Sequence, residues 1–170
     1  MVSKATELLL VLSCVLSVSV QLQAQECDVC TKNGIDMPIS LAAGTVRTPE
    51  FAVKGKYYNI DIDAKWLIPS EELRCRMGFA ASPSDNHCKL ESLLEMKWKV
   101  LDGGRIVAEG FDKGRNNHFD ADSHSLTRNI GNFKGENHHR YVVEVTFVKD
   151  ASLLNATRPR LIVEPPGFSF

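Results

Sequence analysis

The chain has 170 residues, a formal net charge of −1 and a hydrophobic content of 44%. A nearly neutral chain has no global attraction to nucleic acid or to acidic lipid, so overall charge gives no support to those partners. The length and hydrophobic content are ordinary for one globular domain with one core.

The first 24 residues have the pattern of a secretory signal peptide. Lys4 supplies the positive charge, Leu8–Val20 is apolar or small throughout, and Ala24 suits a cleavage site. The apolar run is short for a membrane span, which needs about 20 residues. The alternatives are a buried N-terminal helix and a lipid anchor on Cys14, which follows the small residue Ser13. We expect an exported protein, periplasmic or secreted, that is not integral to the membrane.

Four cysteines remain beyond residue 24, and an even count in an exported chain favours disulfides. Of the three possible pairings, we favour Cys75–Cys88, across a polar stretch, together with Cys27–Cys30. A redox CxxC centre at Cys27 and Cys30 and zinc binding by all four thiols are the alternatives. Residues 25–37 are polar and rich in turn formers, which predicts an N-terminal tail.

The first half of the domain predicts two strands and a helix. Residues 39–46 and 51–53 would form a broken first strand, and residues 57–64 alternate with a period of two. In that second strand Asp61 and Asp63 share a face, where paired carboxylates usually only solubilise a sheet. Residues 70–77 predict a short helix with Ser70 as its N-cap and Gly78 at its end.

The second half predicts further strands around two aromatic residues. Trp98 lies in an alternating strand at 94–101, and residues 102–104 suit a hairpin turn that leads into a return strand at 105–109. Residues 110–125 are polar and predict a long loop. Further strands are expected at 126–133, 140–148 and 160–164, with Tyr141 near the start of the middle one.

This pattern predicts a mainly β protein, an immunoglobulin-like antiparallel two-sheet sandwich of about seven strands with one short helix inserted near residues 70–77. Its single domain spans 38–165, and 166–170 form a C-terminal tail. Trp98 and Tyr141 are the expected structural core residues, because a mid-strand tryptophan packs between the sheets of such folds and a tyrosine hydroxyl ties down a corner.

The chain also resembles an uncharacterised family of exported Gram-negative bacterial immunoglobulin-like β-sandwich domains. The resemblance covers roughly residues 38–165 and implies a compartment and a fold, since the family has no established activity. The matching residues are Pro49-Glu50-Phe51, Tyr58, Cys75 to Gly78, Cys88, Trp98, Gly103, Ile130-Gly131-Asn132-Phe133, Tyr141 and Pro159-Arg160-Leu161.

One loop carries residues suited to a metal. His118, Asp120, Asp122 and His124 recur at every second position, so in an extended segment they would point to one side. Imidazole and carboxylate ligands suit zinc or another transition metal. The alternative is a solvated loop rich in turn-forming residues.

The function expected from these features is non-catalytic binding. The sequence has no GxSxG elbow, HExxH helix, phosphate-binding loop or dinucleotide fingerprint, and no cofactor is expected. We therefore predict an exported binding module for a protein or envelope component, with sheet edges and the 65–92 insertion as contact surfaces. Two alternatives are a metal- or small-ligand-binding module using the 116–124 loop, and a thiol oxidoreductase using Cys27 and Cys30.

Overall fold

The computed structural model describes residues 28–32, 34–54, 57–79, 88–114 and 118–167. The predicted signal peptide, the lipid anchor at Cys14 and the cysteine Cys27 lie outside these ranges, as do the last three residues. Within them no helix is both long enough and apolar enough to span a membrane.

The described residues form ten strands and two short helices. In chain order these are β1 Ile35–Pro38, β2 Gly44–Arg47, β3 Phe51–Ala52, β4 Tyr57–Lys65, α1 Ser70–Met77, β5 Glu95–Asp102, β6 Arg105–Lys113, β7 Phe119–Ala121, β8 Ser125–Lys134, β9 Arg140–Phe147, a 3-10 helix Ser152–Thr157 and β10 Arg160–Glu164.

The strands make two antiparallel sheets. Sheet A has the order β1-β10-β4-β8-β7, and sheet B has the order β2-β9-β5-β6, with β3 also paired to β9. The apolar residues that recur at every second position of β4 and β9 are buried, among them Ile60, Ile62, Val143 and Val145. This alternation forms one hydrophobic core between the sheets. The predicted mainly β sandwich is confirmed at this level.

The strands with a clear period of two lie where the sequence predicts them. β4, β9 and β10 agree with their predicted ranges to within a residue. Gly103 and Gly104 have φ values of 56° and 85°, which is the backbone that a tight two-residue hairpin requires. Local pattern is sufficient here because each of these strands has a buried face and a polar or half-buried face.

The predicted N-terminal tail is too long at its C-terminal end. Residues 35–38, assigned in part to a tail, form β1 on the edge of sheet A, where Ile35 is fully buried and pairs with Val163. Gly34 allows this approach, because a Cβ built there would lie 1.8 Å from the carbonyl oxygen of Val163. The partner strand is over a hundred residues away in sequence, so no local pattern reveals the pairing.

The predicted loop 110–125 is also wrong in part. β6 continues to Lys113, and residues 119–121 form β7, which pairs with β8. Neither segment is apolar enough to predict a buried strand. Both are held in place by backbone pairing with a neighbouring strand.

Helix α1 spans the predicted residues but begins differently. Pro69 is the N-cap residue and Ser70 is the first helical residue, so the predicted Ser70 cap is wrong. Gly78 ends the helix at a φ of 85°, as expected of a left-handed C-cap. Cys75 on this helix forms a disulfide with Cys88, in agreement with the predicted pairing.

Trp98 packs at the border between the two sheets. Its side chain is half-buried, and its ring lies against Gly110 of β6 and Gly131 of β8. A Cβ would lie 2.5 Å from the ring at Gly110 and 2.3 Å from it at Gly131. Trp98 therefore contacts the core, as predicted, but its packing depends on two glycines and it is not fully enclosed.

Tyr141 fastens the turn before β9. Its side chain is 3% exposed, and its hydroxyl accepts a hydrogen bond of 3.0 Å from the backbone N–H of Glu136. The ring also packs on Phe133 at a centroid distance of 5.4 Å. This is the predicted corner contact.

Replacing Tyr141 with phenylalanine should lower the free energy of unfolding by about 1 kcal/mol, because the change deletes one hydrogen bond to a part-buried backbone group. Urea unfolding would measure the loss, and Tyr57→Phe is the matched control because Tyr57 is 58% exposed. Unchanged stability in Y141F would contradict the corner role.

Candidate functional site

The outer face of sheet A carries a cleft of about 820 Å³. We call it the acidic cleft, because six carboxylates line it. They are Asp36, Asp61, Asp63, Asp120, Asp122 and Glu164; Arg160 and His118 also line it, with neutral side chains between them.

Strand register brings these carboxylates together. One row of paired residues crosses the sheet through Asp36 on β1, Ile162 on β10, Asp61 on β4 and Asn129 on β8. The next row runs through Arg160 on β10, Asp63 on β4, Thr127 on β8 and Asp120 on β7. Residues opposite each other on neighbouring strands have Cβ atoms about 5 Å apart. The acidic cleft is thus built by pairing between strands distant in sequence.

Two of the carboxylates form its floor. Asp61 and Asp63 are each 7% exposed. Asn129 donates a 2.8 Å hydrogen bond to Oδ1 of Asp61, and Thr127 donates one of the same length to Oδ1 of Asp63. The expectation of a solvated, merely solubilising pair is therefore wrong. The side chains of neighbouring strands shield these two aspartates from water.

Burial and crowding make ionisation difficult at two positions. Burial, opposed by the Asn129 hydrogen bond and reinforced by the charges of Asp120 and Asp63, raises the pKa of Asp61 to about 6. Burial and the charges of Asp61 and Asp36 raise the pKa of Glu164 to about 7. Negative charge in the acidic cleft is therefore only partly compensated.

A bulge in β8 determines which residues face the acidic cleft. Ile60 pairs with Gly131 while its neighbour Asp61 pairs with Asn129, so Ile130 is an additional residue in β8. The extra residue shifts the alternation of β8 by one position. As a result Asn129 reaches Asp61, and Arg128 points into the interior.

Arg128 supports the acidic cleft from below. Its side chain is fully buried and forms an ion pair of 2.8 Å with Asp112 at the end of β6. It also donates to the carbonyl oxygens of Met77 at the end of α1 and Gly114, the latter at 3.1 Å. Its guanidinium lies 5.7 Å from the ring centroid of Phe119 on β7. One side chain thus connects α1, β6, β7 and β8.

A second set of contacts joins α1 to β7. The Arg74 guanidinium lies 5.6 Å from the ring of Phe79, which meets Phe119 edge to face at 5.4 Å. Trp66 donates a 3.0 Å hydrogen bond from Nε1 to the carbonyl oxygen of Asp122. The helical insertion therefore holds the β7 side of the acidic cleft in position.

The predicted metal ligands are not gathered into a ligand set. His118, Asp120 and Asp122 line the acidic cleft, but His124 is not part of its lining. Oδ1 of Asp122 accepts the backbone N–H groups of His124 and Ser125, which lowers the pKa of Asp122 and closes a turn. Across the described ranges no group of three or more His, Cys, Asp or Glu side chains is arranged to hold a metal ion.

The structure also bears on the alternative roles expected of the cysteines. The Cys75–Cys88 disulfide uses two of the four thiols, so zinc binding by all four does not fit the structure. Cys30 is disulfide-bonded as well. The predicted pair of Cys30 with Cys27, and the redox hypothesis based on it, involve a residue outside the described ranges.

Sheet B presents a different outer surface. Opposite charges alternate across it, through the paired residues Arg47, Glu144, Lys99 and Glu109. Glu144 forms ion pairs with Arg47 at 3.2 Å and with Lys99 at 2.7 Å. Among the described residues, this row of sheet B alternates cations and carboxylates, whereas the lining of the acidic cleft holds six carboxylates and one arginine.

Comparison with known proteins supports the fold alone. A protein of Sulfurospirillum deleyianum with a known crystal structure superposes with a TM-score of 0.53 at 11% sequence identity, over 79% of this chain and 98% of that one. No family model and no curated protein matches the sequence.

Proposed function

We propose that this protein is an exported, non-catalytic binding module that holds a cationic protein or envelope component in the acidic cleft. The observation that carries the proposal is the contrast between the two sheet faces. Glu144 on sheet B is paired with two cations, whereas sheet A directs six carboxylates into one cleft with a single arginine in its lining. Ammonium and guanidinium groups are the chemistry that such a cleft complements.

Export is supported by the leader pattern of residues 1–24 and by the Cys75–Cys88 disulfide, which suits an oxidising compartment. We place the mature protein in the periplasm or outside the cell, with a lipid anchor at Cys14 as the alternative. The two packed antiparallel sheets and the Tyr141 corner support an immunoglobulin-like sandwich of the family that the sequence resembles.

A small-ligand module using the 116–124 loop is the second candidate. It is favoured by one observation, that His118, Asp120 and Asp122 line the same cleft as the buried aspartates. Both candidates share one surface, so a probe series that runs from a small diamine to a longer cationic peptide distinguishes them.

The test is calorimetric titration of the full mature chain with hexalysine at low ionic strength, compared with hexaglutamate and with a simple diamine. We expect hexalysine to bind and hexaglutamate not to bind. The double variant Asp120→Asn/Glu164→Gln should bind hexalysine roughly three- to ten-fold more weakly, since a factor of ten corresponds to about 1.4 kcal/mol.

Glu109→Gln is the matched control, because it removes a carboxylate from the outer face of sheet B. It should leave the hexalysine affinity within two-fold of the parent (about 0.4 kcal/mol). If Glu109→Gln weakened hexalysine binding as much as the double variant, hexalysine would be attracted to the molecule as a whole, and the proposal would be wrong. Diamine affinity matching that of hexalysine would favour the small-ligand candidate.

A further inference from the structure

The end of β10 places Glu164 close to the floor of the acidic cleft. Ile162 is the direct partner of both Asp61 and Asp36, so Glu164, two residues further along β10, is a diagonal neighbour of each. Three carboxylates from three adjacent strands therefore meet at one end of the cleft.

The arginine at this end of the acidic cleft is already paired with a carboxylate. Arg160, on the other side of Ile162, donates from Nε to Oδ1 of Asp36 and from Nη2 to the backbone oxygen of Asp36, the latter at 3.0 Å. Strand β8 contributes the neutral side chains of Thr127 and Asn129. Asp61 and Glu164 are thus left to repel each other.

From this arrangement we infer that the acidic cleft is a pH-gated site, which binds its cationic ligand at slightly alkaline pH and releases it as Asp61 and Glu164 take up protons. The inference rests on the proposed function and adds its regulation. The other ionisable groups facing these two are Asp63 on β4, Asp36 on β1, Arg160 on β10, and Asp120, Asp122 and His118 on and beside β7.

The raised pKa values place the transition near neutrality. With a pKa of about 7 for Glu164 and about 6 for Asp61, both are charged at pH 8 and both are mostly neutral at pH 5. A bound cation favours the charged carboxylates, so by linkage protons and ligand compete.

The experiment repeats the hexalysine titration at pH 8, 6.5 and 5 at constant ionic strength. Lysine keeps its charge over this range, because its ordinary pKa is about 10.4. We expect affinity to fall at least five-fold between pH 8 and pH 5. The double variant Asp61→Asn/Glu164→Gln should bind more weakly at pH 8 and change less than two-fold over the same range.

Three variants sharpen the result. Glu164→Gln alone should remove part of the pH dependence of the affinity. Glu164 is half-buried, so the change carries little risk to folding. Asp120→Asn should weaken binding at every pH and keep the fall in affinity between pH 8 and pH 5. His118→Gln should also keep most of that fall. Near-ultraviolet circular dichroism of each variant confirms that it is folded.

The outcomes separate the two proposals. Equal hexalysine affinity at pH 8 and pH 5 would overturn the pH-gated site and leave the binding function intact. The same conclusion would follow if the double variant lost as much affinity between pH 8 and pH 5 as the parent. Loss of the slope in His118→Gln would assign the effect to the histidine and overturn the role of the carboxylates. No binding at any pH would overturn the proposed function itself.

Discussion

Replacing Arg128 with methionine should lower the free energy of unfolding by about 3 to 5 kcal/mol, the largest effect that we expect from a single substitution in this chain. Methionine can occupy the space of the arginine stem, so the loss comes chiefly from electrostatics. The change removes the 2.8 Å ion pair of Asp112, whose side chain is 11% exposed. It also deprives the carbonyl oxygens of Met77 and Gly114 of their donors. Chemical denaturation followed by tryptophan fluorescence would measure the effect.

The control is Arg160→Met, which removes a half-exposed arginine from its pair with Asp36. Solvent screens that pair, so we expect a loss of about 1 kcal/mol or less. Combining Asp112→Leu with Arg128→Met should recover part of the stability lost in R128M, because it also removes the carboxylate that Arg128 paired with. A loss in R128M no greater than that in R160M would show that the buried pair is not a support of the fold.

Replacing both Cys75 and Cys88 with serine should cost about 3 kcal/mol, as expected when a cross-link closes a loop of this size. The two cysteines are separated by 13 positions. Because Cys75 lies on α1, we expect the loss to spread to the residues that follow the helix, including the contact of Phe79 with Phe119 on β7. Hydrogen exchange at residues 119–121 should therefore accelerate in the double variant.

Dithiothreitol also breaks the disulfide of Cys30, so the matched comparison is between parent and double variant when both are reduced. Reduced parent and reduced C75S/C88S should unfold at similar denaturant concentrations. If the double variant were as stable as the oxidised parent, the disulfide would be dispensable and α1 would be held by packing alone.

How far the sequence predicts this structure depends on where the deciding contact lies. β4 and β9 are predictable because their own alternation of apolar and polar residues reports a buried face. α1 is predictable because Gly78 and the acidic first turn are local signals. β1 and β7 carry little such signal, since pairing with β10 and β8 is what orders them.

The acidic cleft shows the same division. The sequence identifies His118, Asp120 and Asp122 as a group, and all three line the cleft. It gives no sign that Asp61 and Asp63 lie beside that group, because their proximity arises through β8, which pairs with both β4 and β7. The inward position of Arg128 is only weakly indicated by the sequence. Arg128 is a charged residue between Leu126 and Ile130, at a position of β8 where the alternation predicts an apolar side chain.

The additional residue at Ile130 divides β8 into two half-strands of opposite phase. Before it, even-numbered positions such as Arg128 face the core; beyond it, Phe133 shows that odd-numbered positions do. Deleting Ile130 would therefore place Asn129 next to Gly131 and make the strand regular, with Asn129 still opposite Asp61 and Arg128 still facing the core. Straightening the bulge with Ile130 retained would instead turn Arg128 towards water and Asn129 towards the core. The outward position of Asn129 and the inward position of Arg128 thus depend on a fold in the backbone at Ile130 and not on the side chains of residues 125–129 alone.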